Sequence, residues 1–320
     1  MIKSLAVGTP IQALDLLALP LSRLLKQATA LREAIFGRRI VLCAIINARS
    51  GNCAMDCRFC SQSRHNHTPI DIFPLLPDAE LRERILRMAA LPVAHIGIVT
   101  SGAALSGEEF SRLRACIAAL PTAVKPRVCA SLGRLAAEQL TDLAAAGLSR
   151  YHHNLETSQA YYPHVCTTQT WEQRRETVLR GMRVGFTACT GGLFGLGESW
   201  EDRVAFAFSL KKLGVRQVPM NFLHPHPQTP LAGQPPLTAE EALRIVALFR
   251  HILPTATLRI CGGRPVVLGD RQAEAFAAGA NALMTGDYLT THGQCLESDL
   301  NMLARLGLEV DGDGVCAAAS

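Results

Sequence analysis

Three closely spaced cysteines are the residues of this sequence best suited to hold iron. Cys53, Cys57 and Cys60 form a Cys-x3-Cys-x2-Cys triplet that follows an apolar run at positions 40–46. Three such thiolates can ligate three irons of a four-iron cubane and leave the fourth iron without a protein ligand. A small molecule that carries an amino and a carboxylate group can then chelate the open iron and accept one electron.

The chemistry that an open iron allows is the reductive cleavage of S-adenosylmethionine (SAM). SAM chelates through its amino and carboxylate groups, and one electron breaks its sulfur–carbon bond. The resulting 5′-deoxyadenosyl radical removes hydrogen from an unactivated carbon. Phe59 precedes the third cysteine and fits a position against the adenine. The triplet resembles the signature of the radical SAM superfamily.

A structural zinc site is the alternative interpretation of the same cysteines. Cys57 and Cys60 form half of a zinc knuckle, and His65 or His67 could complete a Cys3His set. Structural zinc sites usually have two separated ligand pairs, and the triplet lacks that spacing. Disulfides fit less well, because the 11 cysteines are odd in number and we find no secretory signal.

Composition predicts one barrel-sized domain, or two modest ones, with an aliphatic core. Of the 320 residues, 48% are hydrophobic but only 5% are aromatic. The net charge of +5 comes without a dense basic run, so a nucleic-acid surface is not indicated. No stretch approaches the roughly 20 apolar residues of a membrane span. We therefore expect a soluble, cytoplasmic protein.

Eight short apolar runs, each followed by a polar turn and a helical stretch, predict a (β/α)8 barrel of the TIM type. The runs lie at 40–46, 95–100, 127–132, 151–156, 186–191, 218–223, 258–263 and 282–286. Leu and Ala at helical spacing over 11–36 predict one or two amphipathic helices outside the barrel. The predicted domains are an N-terminal helical extension (1–38), the barrel (39–310) and a flexible tail (311–320).

The predicted barrel brings a second set of cysteines together. Cys129, Cys189 and Cys261 fall in the third, fifth and seventh runs. Residues at matching levels of alternate strands point into one shared layer of a barrel interior. These three thiols therefore predict a second cluster site. Three other cysteines are interpreted as small hydrophobic core residues: Cys43, Cys116 and Cys166.

Several longer segments together resemble the biotin synthase family. They are YHHNLETS (151–158) followed by a Thr-Thr pair and WEQRRET (171–177), CTGGLFGLGES (189–199), PMNFL with PQTPLAG (219–233), RICGGR (259–264) and AGANALMTGDYLTTHG (278–293). The resemblance covers nearly the whole chain. It implies a homodimeric barrel that inserts sulfur into dethiobiotin, with consumption of SAM and of electrons from a flavodoxin or ferredoxin-type donor.

The resemblance also implies the roles of single residues. The triplet matches the ligands of the SAM-cleaving [4Fe-4S] cluster. Asn154 matches an asparagine that bridges SAM and dethiobiotin, and Glu156 takes the place of a carboxylate on the ribose hydroxyls. Arg174 matches an arginine near the methionine carboxylate, and Asn221 matches a substrate contact. Further cofactor contacts are implied at Phe59, Gly102, Gly191 and Gly192.

The sequence departs from the family pattern at the second cluster. The family pattern holds a [2Fe-2S] cluster with three cysteines and an arginine, of which Cys129, Cys189 and Arg259 match three. Thr100 stands where the remaining cysteine is expected, and Cys261 lies two residues after Arg259, on the same strand face. One thiolate has thus moved from the second strand to the seventh. Two alternatives follow: a [2Fe-2S] cluster, or a four-iron cluster with an extra, labile sulfide.

Three hypotheses about function follow from these patterns. The first is a biotin synthase. The second is a related radical SAM barrel enzyme, such as a mutase, a methylornithine-forming enzyme or a hydrogenase-cofactor maturase. The third is a non-catalytic zinc-binding protein. Two histidine pairs are interpreted as loop or packing residues rather than ligands: His224 with His226, and His152 with His153.

Overall fold

The computed structural model describes residues 5–311, so the predicted tail lies outside the described residues except for its first position. The helices are α1 Pro10–Leu17, α2 Leu21–Phe36, α3 Asp78–Ala89, α4 Gly107–Ala118, α5 Ala137–Ala145, α6 Trp171–Arg183, α7 Trp200–Lys212, α8 Ala239–Ile252, α9 Arg264–Leu268, α10 Glu274–Ala277 and α11 Leu296–Arg305. The strands are β1 Arg39–Arg49, β2 His95–Thr100, β3 Val128–Ser131, β4 Arg150–His152, β5 Thr187–Cys189, β6 Gly192–Phe194, β7 Gln217–Phe222, β8 Thr257–Ile260, β9 Ala282–Met284 and β10 Glu309–Val310.

Eight parallel strands close into a barrel, as the sequence predicts. The order is β1, β2, β3, β4, β5, β7, β8 and β9, and β9 pairs back with β1. Cys43 of β1 is in register with both His95 and Met284 at this closure. The strands are apolar and buried on both faces because helices cover the outside of a parallel barrel. The prediction of a (β/α)8 barrel is confirmed.

The fifth predicted run differs from the structure, because it divides into β5 and β6. The break falls at Thr190 and Gly191. A Cβ atom on Gly191 would lie 1.8 Å from the carbonyl oxygen of Pro219, so only glycine permits this approach of the two backbones. After the break, β6 pairs with β7. The run predicted at 151–156 is also shorter as a strand, since β4 ends at His152.

The predicted amphipathic segment 11–36 forms two helices that cover α7 and α8. The helices separate at Pro20, which cannot continue a helix that precedes it. Thr9 begins α1 with a capping box: its hydroxyl accepts from the Gln12 backbone N–H at 3.3 Å, and the Gln12 side chain accepts from Thr9. Within residues 5–311, no helix is long and apolar enough to cross a membrane.

A buried ion pair ties the chain that follows β8 to α11. Arg264 and Asp299 are fully buried and form two parallel hydrogen bonds, of 2.9 Å from Nη1 to Oδ1 and 3.0 Å from Nη2 to Oδ2. Burial raises the pKa of Asp299, while the guanidinium of Arg264 opposes that change. Because Arg264 follows Cys261 closely, the pair fixes one wall of the barrel interior.

Removing one partner of this pair is expected to destabilise the fold strongly. Asp299→Ala leaves a buried guanidinium unpaired, which costs about 3–5 kcal/mol. The matched control is Asp78→Ala, which breaks the surface pair with Arg112, of 2.8 Å with side chains 35% and 55% exposed, and costs at most about 1 kcal/mol. Anaerobic urea denaturation measures both. Equal midpoints for the two variants would contradict the structural role of the buried pair.

Candidate active site

One cavity of about 500 Å³ runs from the loops that follow the strands down into the barrel. Its volume is in the range that holds small molecules and cofactors. The Cys53–Cys60 triplet lines its outer part, and Cys129, Cys189 and Cys261 line its inner part. Two sets of thiols therefore share one space. Phe59 and Gly102 also line it.

Hydrogen bonds within the chain hold the loop that carries the triplet. The side-chain amide of Asn66 donates to the carbonyl oxygens of Cys57 at 3.1 Å and Cys60 at 2.8 Å. The backbone N–H of Cys53 donates to the Gln62 carbonyl at 3.0 Å. The loop thus has a defined shape built by protein groups alone.

Asp56, inside the triplet, attaches this loop to the chain that follows β4. Its carboxylate accepts from the backbone N–H groups of Thr167 at 2.9 Å and Thr168 at 3.1 Å, and from the Cys166 thiol at 3.1 Å. Burial raises the pKa of Asp56, but these hydrogen bonds outweigh it and bring the pKa below its usual range. Sequence reasoning missed Asp56 and Asn66, although the Thr-Thr pair was a signal for the first.

The triplet fits the corners of an iron–sulfur cluster better than a single zinc ion. Zinc needs its ligands within about 2.3 Å of one point. Among residues 5–311, no three His, Cys, Asp or Glu side chains are placed to hold one ion. His65 and His67 are exposed, and His65 Nε2 lies 3.1 Å from the Ala54 carbonyl oxygen. Three cysteines that line one cavity can supply the three thiolates that a cubane with an open iron needs.

The surroundings raise the pKa of two of the three triplet thiols. A hydrogen bond with Cys166, and then burial, raise the pKa of Cys57, and burial raises that of Cys60 to about 11. Iron that binds these sulfurs as thiolates would displace their protons.

Glu156 and Arg174 form a buried pair beside the triplet. Arg174 Nη1 lies 3.5 Å from Glu156 Oε1 and 2.7 Å from the Asn154 carbonyl oxygen, and its Nε donates to the Tyr162 hydroxyl at 2.8 Å. Burial raises the pKa of Glu156, whereas Arg174 lowers it. Glu156 also has a φ of 71°, a conformation that few residues other than glycine adopt and that is typical of functional positions.

Gly191 and Gly192 allow the chain to pack closely on itself. A Cβ atom on Gly192 would lie 2.1 Å from the carbonyl oxygen of Glu156, and that oxygen accepts from the Leu193 N–H at 2.8 Å. These glycines therefore fix the position of Glu156. The nucleoside contact expected of them stays a prediction.

Asn154 and Asn221 hold the same segment through their side-chain amides. Asn154 Oδ1 accepts from the Gly191 N–H at 3.1 Å, and Asn221 Nδ2 donates to the Gly192 carbonyl at 3.1 Å. Asn221 Oδ1 also accepts from the Gly262 N–H at 3.0 Å. An amide can make four hydrogen bonds, so both side chains retain the capacity to bind a ligand in the cavity.

In the inner part of the cavity, the buried Arg259 lies among cysteine sulfurs. Its Nη1 donates to Cys189 Sγ at 3.4 Å and its Nη2 to Gln217 Oε1 at 3.3 Å, while its Nε has no protein partner in the described chain. Burial lowers the pKa of Arg259, but the surrounding cysteines outweigh burial and raise it. Burial raises the pKa of Cys189, but a hydrogen bond from His152 and the charge of Arg259 bring it to about 7. In this inner part of the cavity, called the inner chamber below, the surroundings therefore favour the thiolate at Cys189, whereas burial raises the pKa of Cys129 and Cys261.

The structure also shows where the other predicted positions lie. Thr100 lines the cavity at the end of β2, and its buried hydroxyl has no protein partner among residues 5–311. Cys43, interpreted as a small core residue, is buried and also lines the inner cavity. Cys116 is buried on α4. The histidines interpreted as loop or packing residues line the cavity as well: His152, His153, His224 and His226.

Comparison with known proteins gives two matching family models. Residues 48–210 match the Radical SAM superfamily, and residues 219–309 match the Biotin and Thiamin Synthesis associated domain. The chain is 70% identical to a biotin synthase of Desulfovibrio desulfuricans over 97% of this chain and 98% of the relative. It is 44% identical to a biotin synthase of Pelotomaculum thermopropionicum over 91% and 90%.

Among solved structures, the fold is similar to that of a methylornithine synthase. The TM-score is 0.80, and the match covers 95% of this chain and 94% of the other. The sequence identity is 19%, so this likeness supports the barrel fold alone.

Proposed function

This chain belongs to the biotin synthase family of the radical SAM superfamily, and from that premise we propose how its residues carry out the reaction. The family's reaction is the insertion of sulfur into dethiobiotin to form biotin, with a four-iron cluster and SAM. When bound, the outer cluster supplies the electron that cleaves SAM, and the inner cluster supplies sulfur. The observation that carries the proposal is that both cysteine sets line one cavity.

Cys53, Cys57 and Cys60 hold the outer cluster in this proposal. The hydrogen bonds of Asn66 and Asp56 support it, because they shape the loop before any metal binds. Phe59 and Gly102, on the cavity wall, contact the nucleoside of SAM. The fourth iron is left to the amino acid part of SAM.

Glu156 and Arg174 bind the two polar ends of SAM. The Glu156 carboxylate accepts hydrogen bonds from the ribose hydroxyls, and the Arg174 guanidinium pairs with the methionine carboxylate. Their 3.5 Å contact supports the proposal, because the Arg174 guanidinium opposes the effect of burial, which raises the pKa of Glu156. Water is excluded from most of the pair, which strengthens the contacts with SAM.

Asn154 and Asn221 orient dethiobiotin. Its ureido ring has a planar edge of donors and acceptors that the two amides can match. Both amides are fixed by hydrogen bonds to glycines of the β5–β6 segment and the chain after β8. Asn154 also lies 3.4 Å from Glu156, so the substrate and SAM are positioned by adjoining groups.

Cys129, Cys189 and Cys261 hold the inner cluster, with Arg259 as a ligand or as a cation that offsets the sulfur charge. We propose four irons and an extra sulfide on the iron without one of these cysteines, rather than a [2Fe-2S] cluster. The position of Cys261 supports this choice, because it replaces the thiolate missing at Thr100 from another wall of the chamber. That extra sulfide would be the sulfur given to the substrate.

Three further proposals rest on the family alone. A flavodoxin or ferredoxin-type protein supplies electrons, the enzyme acts as a homodimer, and it works in the cytoplasm.

Dethiobiotin should stimulate formation of 5′-deoxyadenosine and be converted into biotin by the anaerobically reconstituted protein. Cys57→Ala should abolish both products, because the outer cluster loses a ligand. Cys116→Ala, at a buried cysteine on α4, is the matched control and should keep both. Quantitative chromatography of the two products is the measurement. SAM cleavage at the same rate with and without dethiobiotin would indicate a related barrel enzyme. Stoichiometric zinc without iron in the purified protein would indicate a zinc protein.

Glu156→Gln and Arg174→Lys should each weaken SAM binding without loss of iron. Glu156→Gln removes a negative charge, and Arg174→Lys removes the planar guanidinium fork. Charge-assisted hydrogen bonds contribute about 1.5–3 kcal/mol, so each variant should raise the Kd for SAM roughly 10- to 100-fold. Equilibrium binding of SAM is the measurement. Glu172→Gln, on the exposed side of α6, should leave the Kd unchanged. Unaltered affinity in both site variants would refute the proposed SAM contacts.

Cys261→Ala should lose inner-cluster iron and biotin formation while it still cleaves SAM. Thr100→Ala should retain both, because its hydroxyl is not a ligand in this proposal. Iron analysis and Mössbauer spectra of the two variants test the difference. A normal [2Fe-2S] spectrum and full activity in Cys261→Ala would show that Cys261 is only a packed core residue and not a cluster ligand.

A further inference from the structure

Cys43 and Cys261 lie at the same level of the barrel wall, on either side of strand β9. On β1, Cys43 is in register with Met284 of β9. On the other side of β9, Ile260 is in register with Leu283, so the next position places Cys261 level with Met284. Residues paired across parallel strands point to the same face of a sheet. The two cysteines therefore flank Met284 on one wall, and all three line the cavity.

Arg259 connects Cys43 to the three cysteines of the proposed inner cluster. The strongest charge partners of this guanidinium are four sulfurs: Cys43, Cys189, Cys261 and Cys129. Arg259 is only 4% exposed, and a buried cation requires compensation by negative charge nearby. Cys189 contacts this cation directly, since Arg259 Nη1 donates to its sulfur at 3.4 Å. Cys43 lines the same inner chamber as Arg259 and the other three cysteines.

A core thiol of similar burial has different surroundings. Cys116 is 7% exposed and Cys43 is 6% exposed. Cys116 packs on α4, where its charged neighbours are Asp78 and Arg82. Cys43 instead faces a cavity and other sulfurs. Packing alone therefore explains Cys116 and does not explain Cys43.

We propose that Cys43 is a fourth iron-binding thiol of the inner chamber. This proposal rests on the inner cluster of the proposed function. It assigns Cys43 to the one iron that Cys129, Cys189 and Cys261 do not ligate. A four-iron cubane has four such corners. Cys43 binds that iron when no extra sulfide is present. In the exchange the Cys43 thiolate replaces sulfide, the thiol proton leaves with the sulfide, and no group is oxidised or reduced.

The test uses the full chain with the outer cluster removed. In a background with Cys53→Ala, Cys57→Ala and Cys60→Ala, the inner chamber alone is reconstituted with iron and sulfide. Unbound sulfide is then removed by anaerobic gel filtration. We expect about four irons and about four sulfides per chain. A background protein that binds no iron would overturn the proposed inner cluster itself, whatever the role of Cys43.

Adding Cys43→Ala to this background should lower the iron to about three per chain and give the EPR signal of a three-iron cluster after mild oxidation. The nearly isosteric Cys43→Ser guards against misfolding and should lose one iron or change its Mössbauer parameters. Cys116→Ala in the same background should change nothing. If both Cys43 variants keep the iron, sulfide and Mössbauer spectra of the background, Cys43 is a packing thiol and the inference is wrong.

Discussion

The pairing of β9 with β1 closes the barrel, and the arrangement of the site depends on that closure. Cys43 of β1 then lies beside Met284 of β9, with β2 on the other side of β1 and β8 on the other side of β9. Without closure, Cys129 and Cys261 would lie far apart on an open sheet. Because strands of a closed parallel barrel all end at one rim, the loops that follow them meet above a common interior. The two cysteine sets can therefore share one cavity.

The interior of this barrel holds charge at two levels, and each level needs its own compensation. At the outer level, Glu156 and Arg174 neutralise each other at 3.5 Å. At the inner level, Arg259 has cysteine sulfurs as its main charge partners. A buried charge without a partner is costly, so the inner chamber suits an anionic sulfur-rich group. In the function proposed above, the outer level binds SAM and the inner level holds the sulfur-donating cluster.

The position of Cys43 also bears on how a thiolate can move between strands in this family. Thr100 is on β2, and Cys261 follows β8. The strands between them around the barrel are β1 and β9. Cys43 of β1 thus lies between the position that lost a cysteine and the position that gained one. In the proposals above, thiols along this wall would keep the four irons of an inner cluster within reach of protein ligands.

Much of the fold and part of the site could be predicted from the sequence alone. The triplet is a local pattern, so its spacing indicates iron chemistry without knowledge of the fold. The eight apolar runs predict the barrel, because burial between helices and strands imposes a repeating pattern on the chain. Longer motifs identified the family, and the comparisons confirm that identification.

Other features were decided only by the tertiary structure. Asp56 and Thr167 are 111 positions apart, and no local pattern indicates that one holds the other. Cys43 looks like a core residue within an apolar run, and only strand register turns it toward the chamber. Gly191 is required by the carbonyl of Pro219, on a different strand. Local spacing determines which residues can do chemistry, whereas the direction and neighbours of each side chain depend on long-range register and closure.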